Sequence, residues 1–284
     1  MQRSKRRPLL LFFPLAFLLS WYPFILDKTH LVRTSGGINP LGPMVAAVIV
    51  AGIYYRARGV KELLRRYLRW RIGWSNYAFA ILMPVAVVAV EAALNILLGA
   101  KRPAASQIAT WHELLPRFVF MFLFIGVGEE TGWRGFALPE LQKRYSPLMA
   151  SLILGVIWAA WHIPLIGVEF KGPVIPAFLL SVMSASVVTA WLFNRSGGGL
   201  LALPLFHAMV DTVGGGYIFS MFQGADVLRL WWIDAVIWAL VAVILVFRSP
   251  QMTERPLFTD SERPTLPGVI SDEVQSEYPR LDQN

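Results

Sequence analysis

The chain carries eight apolar segments, near 9–26, 38–55, 77–98, 114–137, 148–166, 174–193, 200–221 and 231–247. Each is close to the ~20 residues that an α-helix needs to cross a ~30 Å hydrocarbon core. They are almost uniformly apolar, whereas the strands of a transmembrane barrel would alternate apolar and polar residues, so helices are expected. The expected fold class is all-α, a polytopic transmembrane helical bundle of about eight spans. With 56% hydrophobic and 15% charged residues, the chain is unlike soluble domains, in which roughly a quarter of residues are charged. Cysteine is absent, which excludes disulfides, thiolate metal sites, iron–sulfur clusters and a thiol nucleophile. Any catalysis therefore falls to His, Glu, Asp, Ser or Arg.

The net charge of +8 does not point to nucleic acid, because the basic residues sit in short stretches flanking apolar runs. Lys and Arg number fifteen on one side of the membrane: four before the first segment, seven in 56–76, two in 138–147, Arg195 and Arg248. Lys28, Arg33, Lys101, Arg102, Arg117, Lys171 and Arg229 make seven on the other. This asymmetry predicts cytoplasmic termini in a bacterial cytoplasmic (inner) membrane, with the 99–113 and 222–230 loops outside. The first segment follows Arg3, Lys5, Arg6 and Arg7 and ends in Trp21-Tyr22-Pro23 without a small-residue cleavage site, so it reads as a retained anchor. Within 56–71, seven basic residues alternate with Leu63, Leu64, Tyr67, Leu68 and Trp70, as expected of an interfacial helix on an anionic leaflet. Regulatory lipid or partner binding is the alternative there. The expected organisation is N-terminal helices over 1–113 with the basic segment 56–76, a core over 114–215, a last helix within 216–248 and a disordered cytoplasmic tail over 249–284.

Ionisable residues inside a bilayer cost several kcal/mol and mark function by default. Here they are Glu91, Glu129, Glu130, Arg134, His162, His207 and Asp211. In Gly128-Glu129-Glu130-Thr131-Gly132-Trp133-Arg134 the two acids point about 100° apart on a helix and cannot share one task. Glu130 and Arg134, at i and i+4, can pair and leave Glu129 directed elsewhere. Trp158-Ala-Ala-Trp161-His162-Ile-Pro164 sets a histidine among aromatic residues just before a helix-weakening proline. His207 and Asp211 form another i, i+4 pair: Asp211 either orients the imidazole or joins it in facing a substrate. At 1.5 Å per residue these groups lie roughly 10–21 Å from the cytoplasmic helix ends, close enough in depth to converge. Glu91 and Asn95 are expected to bond across helices, with a place in a substrate cavity as the alternative. Gly197–Gly199 and Gly214–Gly216 both read as turn glycines, a helix shift to admit substrate being the other reading.

Taken together, GEExxWRG, WxxWHxP and HxxxD at these separations resemble the CPBP family of intramembrane proteases, which includes the type II CAAX prenyl proteases. The resemblance covers about residues 114–215, and Asp211 matches the bacterial branch, where aspartate replaces an asparagine. It implies hydrolysis of a peptide bond in a membrane-associated or prenylated peptide or protein, with Glu129 and His162 activating a water and His207 with Asp211 binding the oxyanion. Glu130, Arg134 and Trp158 take supporting places. A neutral His207 can donate to an oxyanion, but an aspartate does so only when protonated, which favours Asp211 as the group that fixes His207. A catalytic zinc on His162, His207 and Glu129 is chemically open. No HExxH spacing is present, so a metal-free mechanism with Glu129 as base is favoured. The rival functions are a catalytically silent scaffold or immunity protein of the same fold and, less favoured, a small-solute transporter, for which the repeated halves are missing.

Overall fold

The computed structural model describes residues 8–30 and 37–253. The N-terminal basic cluster, Arg33 and the tail from 254 onward lie outside the described residues. The described chain is helical, and its one strand-like feature is a single bridge between Ile166 and Phe170.

Eight helical stretches follow the apolar segments: α1 (Pro8–Lys28), α2 (Gly42–Arg65), α3 (Trp74–Leu97), α4 (Ala105–Gln142), α5 (Pro147–Trp161), α6 (Val174–Arg195), α7 (Ala202–Met209, continuing as a π-helix over Val210–Ile218) and α8 (Ala225–Arg248). Five of them, α1, α3, α4, α6 and α8, are long and apolar enough to cross a membrane. The protein is an all-α, polytopic integral membrane protein.

The other three depart from a plain span for local reasons. In α2 the helix breaks at Arg56, which takes φ 59° and ψ −160°, where the apolar run gives way to the basic one. Ser146 caps α5 by accepting from the Met149 amide at 3.3 Å, with Pro147 in the first turn, where its missing N–H costs nothing. The same helix ends at Trp161 rather than 166, because Pro164 offers no N–H and the residues before it tighten into a 3-10 turn. In α7 the π-helix holds Gly214–Gly216 inside the helix, so these glycines are not the turn expected of them, whereas Gly197 and Gly198 do form a turn at φ 59° and 77°.

The basic segment docks onto the protein as well as presenting an outer face. Leu64, Leu68 and Trp70 are exposed while Leu63 and Arg66 are buried. Arg66 donates from Nη1 to the Gly198 carbonyl at 3.3 Å, and burial, reinforced by neighbouring Arg69, lowers its pKa to about 10. Tyr67 and Thr131 share a hydroxyl hydrogen bond of 2.6 Å, which ties this segment to α4.

Around α4, helix packs on helix at short range: α2 lies against its 127–132 stretch, α7 against its 121–126 π-turn and against α3, and α8 against α6 and α3. Glycine makes this possible. A Cβ at Gly128 would lie 2.5 Å from the Pro40 carbonyl oxygen, and one at Gly132 2.4–2.6 Å from Pro43. Small residues at such crossings let backbones approach inside a membrane.

The absence of native cysteine makes the expected orientation testable by labelling. An impermeant thiol reagent added to intact cells should label Ser106→Cys and spare Arg58→Cys, both at exposed positions. The reverse pattern would invert the topology.

Candidate active site

The site grows from one run of α4. The residues Val127–Gly132 are α-helical, and π-turns flank them at Met121–Gly126 and Trp133–Ala137. A π-turn widens the helix by one residue and shifts the direction of the side chains that follow, a device frequent at functional sites. Between these turns Glu129 and Glu130 take separate partners. Glu129 Oε2 accepts from the Trp158 indole N–H at 2.8 Å, and no protein donor reaches its Oε1 among the described residues. Glu130 Oε1 accepts from Arg134 Nη1 at 3.0 Å and from His207 Nδ1 at 2.8 Å. Arg134, fully buried, lays its guanidinium over the Trp158 ring at 4.3 Å, so cation–π contact adds to the ion pair.

His162 stands where α5 stops. Its backbone amide bonds to the Ala159 carbonyl at 3.2 Å in the tightened last turn, which leaves the Trp158 carbonyl to the imidazole. That carbonyl accepts from Nδ1 at 2.7 Å. A carbonyl can only accept, so Nδ1 carries the proton and Nε2 is the basic nitrogen of the neutral ring. Trp161 and Phe178 meet the imidazole edge-on at centroid separations of 5.0 and 5.2 Å.

His207 is held differently from expectation. Its Nδ1 is fixed by Glu130, while Asp211 Oδ2 lies 3.5 Å from Nε2. Glu130, and not Asp211, therefore orients the ring. With Nδ1–H engaged, a neutral His207 has no second N–H to offer, so donation to an oxyanion requires the imidazolium.

Glu129, Glu130, Trp158, His162, His207 and Asp211 line one cavity of about 630 Å³. Its remaining wall is largely apolar and aromatic and includes Phe206, Trp231 and Trp238, with Gly214–Gly216 along the π-helical part of α7. At the rim, in the connection after α5, partial burial and then the charge of Asp211 raise the pKa of Glu169.

Among the described residues no group of three His, Cys, Asp or Glu side chains is arranged to hold an ion. His162 and His207 each engage an acceptor through Nδ1, as ligating histidines also do, and Glu129 commits one oxygen to an indole.

Sequence reasoning missed two polar groups on this cavity wall, Asp234 and Ser181. Asp234 lies inside the expected 231–247 span, so the criterion that picked out Glu91 applies to it too. Ser181 carries no charge and gave no signal. Of the Glu91–Asn95 pair, Asn95 does bond across helices, donating to the Asp226 carbonyl at 3.1 Å and accepting from Arg229 Nε at 2.8 Å. Glu91 does so too, carboxyl to carboxyl with Asp234 of α8.

These features define a class: a helical integral membrane protein with a carboxylate–histidine cluster on the wall of a cavity between helices. Residues 111–213 match the family model for type II CAAX prenyl endopeptidases, Rce1-like. The chain is also similar to CAAX prenyl protease 2 of Methanococcus maripaludis, at 30% identity over 102 residues, covering 33% of this chain and 38% of that protein. The chain spans well under half the length of that relative, and the matched segment contains every member of the Glu–His cluster.

The buried Glu130 bridge carries a stability prediction. Glu130→Gln leaves Arg134 without its counter-charge, at a cost of about 3–5 kcal/mol, and a clearly lowered midpoint of thermal unfolding in detergent is expected. Gly132→Ala should destabilise by roughly 1–3 kcal/mol through collision with the Pro43 backbone. Unchanged unfolding of both variants would contradict the packing described here.

Proposed function

We propose that this protein is an intramembrane endopeptidase in which Glu129 activates a water against a peptide bond. One observation carries the reading: Glu129, His162 and His207, supplied by three separate helices, line one cavity, and Glu129 keeps an oxygen free of protein donors while its other oxygen is pinned by Trp158. A carboxylate withdrawn from bulk water can take a proton and hand it on. The fixed indole bond aims it.

In the proposed reaction a water lies between Glu129 Oε1 and His162 Nε2. Glu129 takes a proton from the water as its oxygen attacks the scissile carbonyl. The new C–O bond leaves charge on the carbonyl oxygen, which Nε2–H of a doubly protonated His207 stabilises, its Nδ1–H remaining on Glu130. Glu129 then delivers the proton to the leaving amide nitrogen as the C–N bond breaks, giving a carboxyl and an amine product. Glu130, Arg134 and Trp158 position these groups and do not touch substrate. Asp211, partly exposed beside Nε2, supplies counter-charge to the imidazolium in place of the direct donor role. No step uses a metal.

The substrate is a membrane-associated peptide or protein, since an apolar and aromatic cavity between helices favours a segment delivered from the bilayer. The name of the archaeal relative makes prenylated proteins the first class to test. The bilayer, with an anionic leaflet against the basic 56–71 segment, is the other partner.

Comparing membrane peptides of cells with and without the protein would identify substrates. On such a substrate Glu129→Gln should reduce turnover by at least about 10²-fold, the scale of a lost general base, with helicity unchanged. A fully active Glu129→Gln protein would end this mechanism. Chelator treatment should leave activity unchanged; activity lost with chelator and restored by one equivalent of zinc would make the histidines ligands.

A further inference from the structure

Successive helices alternate in direction, so their ends fall into two sets, and hydrogen bonds show which ends meet. At one end Arg66 reaches the Gly198 carbonyl, Gln142 donates to Asn194 at 3.1 Å and Arg195 to Asn76 at 3.0 Å. At the other, Trp21 donates to the Trp161 carbonyl at 2.9 Å, Tyr217 to the Ile108 carbonyl at 2.7 Å and Gln107 to the Met221 carbonyl at 3.2 Å. The cavity belongs to the second end. The connections there supply Gly37, Ile38, Pro40, Glu169 and Phe170 to its lining, whereas among the described residues the connections at the first end supply none.

Exposure shows where the cavity opens. Glu169 and Gly215 both line it and keep exposed surface, and a Cβ at Gly215 would meet nothing within 4 Å. Toward the first end the lining runs out in buried residues: Glu130, Thr189 and Phe206, the lining residues of α4, α6 and α7 nearest that end, are at most 2% exposed. Beyond them Leu138, Leu192, Phe193, Leu200 and Leu203 have no exposed surface. The cavity is therefore open at one end of the bundle and closed by packed side chains at the other. Charge separates the same two ends. Among the described residues eleven Lys and Arg stand at the closed end, seven of them in 56–71, against six at the open end.

We propose that the cavity is a port on the non-cytoplasmic face of the membrane, and that the substrates are peptide segments exposed on that face, the outer parts of membrane-anchored chains. This rests on the peptidase reading. Basic loops stay in the cytoplasm, which turns the closed, basic end inward and the open end outward. Each bond broken consumes one water and yields a carboxyl and an amine. The port brings that water to Glu129 from outside and lets the soluble fragment leave the same way, while Leu138, Leu200 and Leu203 shut the Glu–His cluster off from the cytoplasm. A peptide confined to the cytoplasm has no path to Glu129.

Two assays on the full-length protein in its membrane separate this proposal from the peptidase reading. The first needs no cleavage. In sealed right-side-out vesicles an impermeant methanethiosulfonate reagent should label Gly215→Cys at the cavity mouth and spare Arg58→Cys until the vesicles are opened. Glu169→Cys, at the same mouth, serves should the glycine change not fold. Mouth positions that stay unlabelled in sealed right-side-out vesicles overturn the port. The second assay offers a mixed library of charged peptides, which cannot cross the membrane, to sealed right-side-out and sealed inverted vesicles, with fragments read by mass spectrometry and Glu129→Gln membranes as the blank. The right-side-out vesicles should cut, and the inverted ones should not until detergent opens them. Cutting by the sealed inverted vesicles, or by neither sealed preparation when solubilised protein does cut, overturns the port. A wild type that cuts nothing on either side or in detergent defeats the peptidase reading alone, and the labelling then decides which way the cavity faces.

Discussion

The site depends on one carboxylate, that of Glu130. It is fully buried and shares Oε1 between the guanidinium of Arg134 and the imidazole of His207. In a hydrocarbon-surrounded bundle an ionised group depends on counter-charge supplied from within. Glu130 finds it in one partner on its own helix and one on α7, both on Oε1, so it links the chemistry of α4 to that of α7. Because Glu130 takes the inward cations, Glu129, about 100° round the helix, is left to the indole of Trp158 on α5 and to the cavity. The same tryptophan receives Arg134 on its face and gives its backbone carbonyl to His162. Trp158 thereby connects both acids to both histidines.

Close packing fixes these angles. Gly128 and Gly132 let α4 lie on the backbone at Pro40 and Pro43, and the π-turns on either side of Val127–Gly132 set the direction in which Glu129 and Glu130 project. A similar π-helical stretch in α7 brings Gly214–Gly216 to the cavity wall, where Gly215 faces open space and Gly216 makes room for the Arg117 side chain. Residues 56–71 brace this arrangement from outside through Tyr67 on Thr131 and Arg66 on the Gly198 carbonyl.

Much of this was legible in the sequence because the bilayer makes polarity conspicuous. The Glu130–Arg134 pair follows from i, i+4 spacing on a helix, and Glu129 was singled out because its neighbour was already engaged. Other features depend on geometry that spacing does not encode. The sequence placed Asp211 next to His207 by period, but the contact from Glu130, 77 positions away, competes better for Nδ1. The early end of α5 was foreshadowed by Pro164, although the transfer of the Trp158 carbonyl to the His162 ring needs the backbone traced. The π-turns have no simple residue signature. Asp234 was legible by the rule that found Glu91, whereas Ser181 emerges only when α6 and α8 are packed together.

The central claim, that Glu130 holds His207 through Nδ1–H and so leaves only a doubly protonated ring able to donate from Nε2, can be read directly by NMR. The chain has four histidines, so selective ¹⁵N labelling with single His→Gln variants assigns every ring. The account predicts a protonated Nδ1 on both His162 and His207, and a Glu130→Gln variant in which the His207 Nδ1–H signal shifts or disappears while that of His162 stays in place. An unprotonated Nδ1 on His207, or a His207 signal indifferent to the Glu130 change, would contradict it.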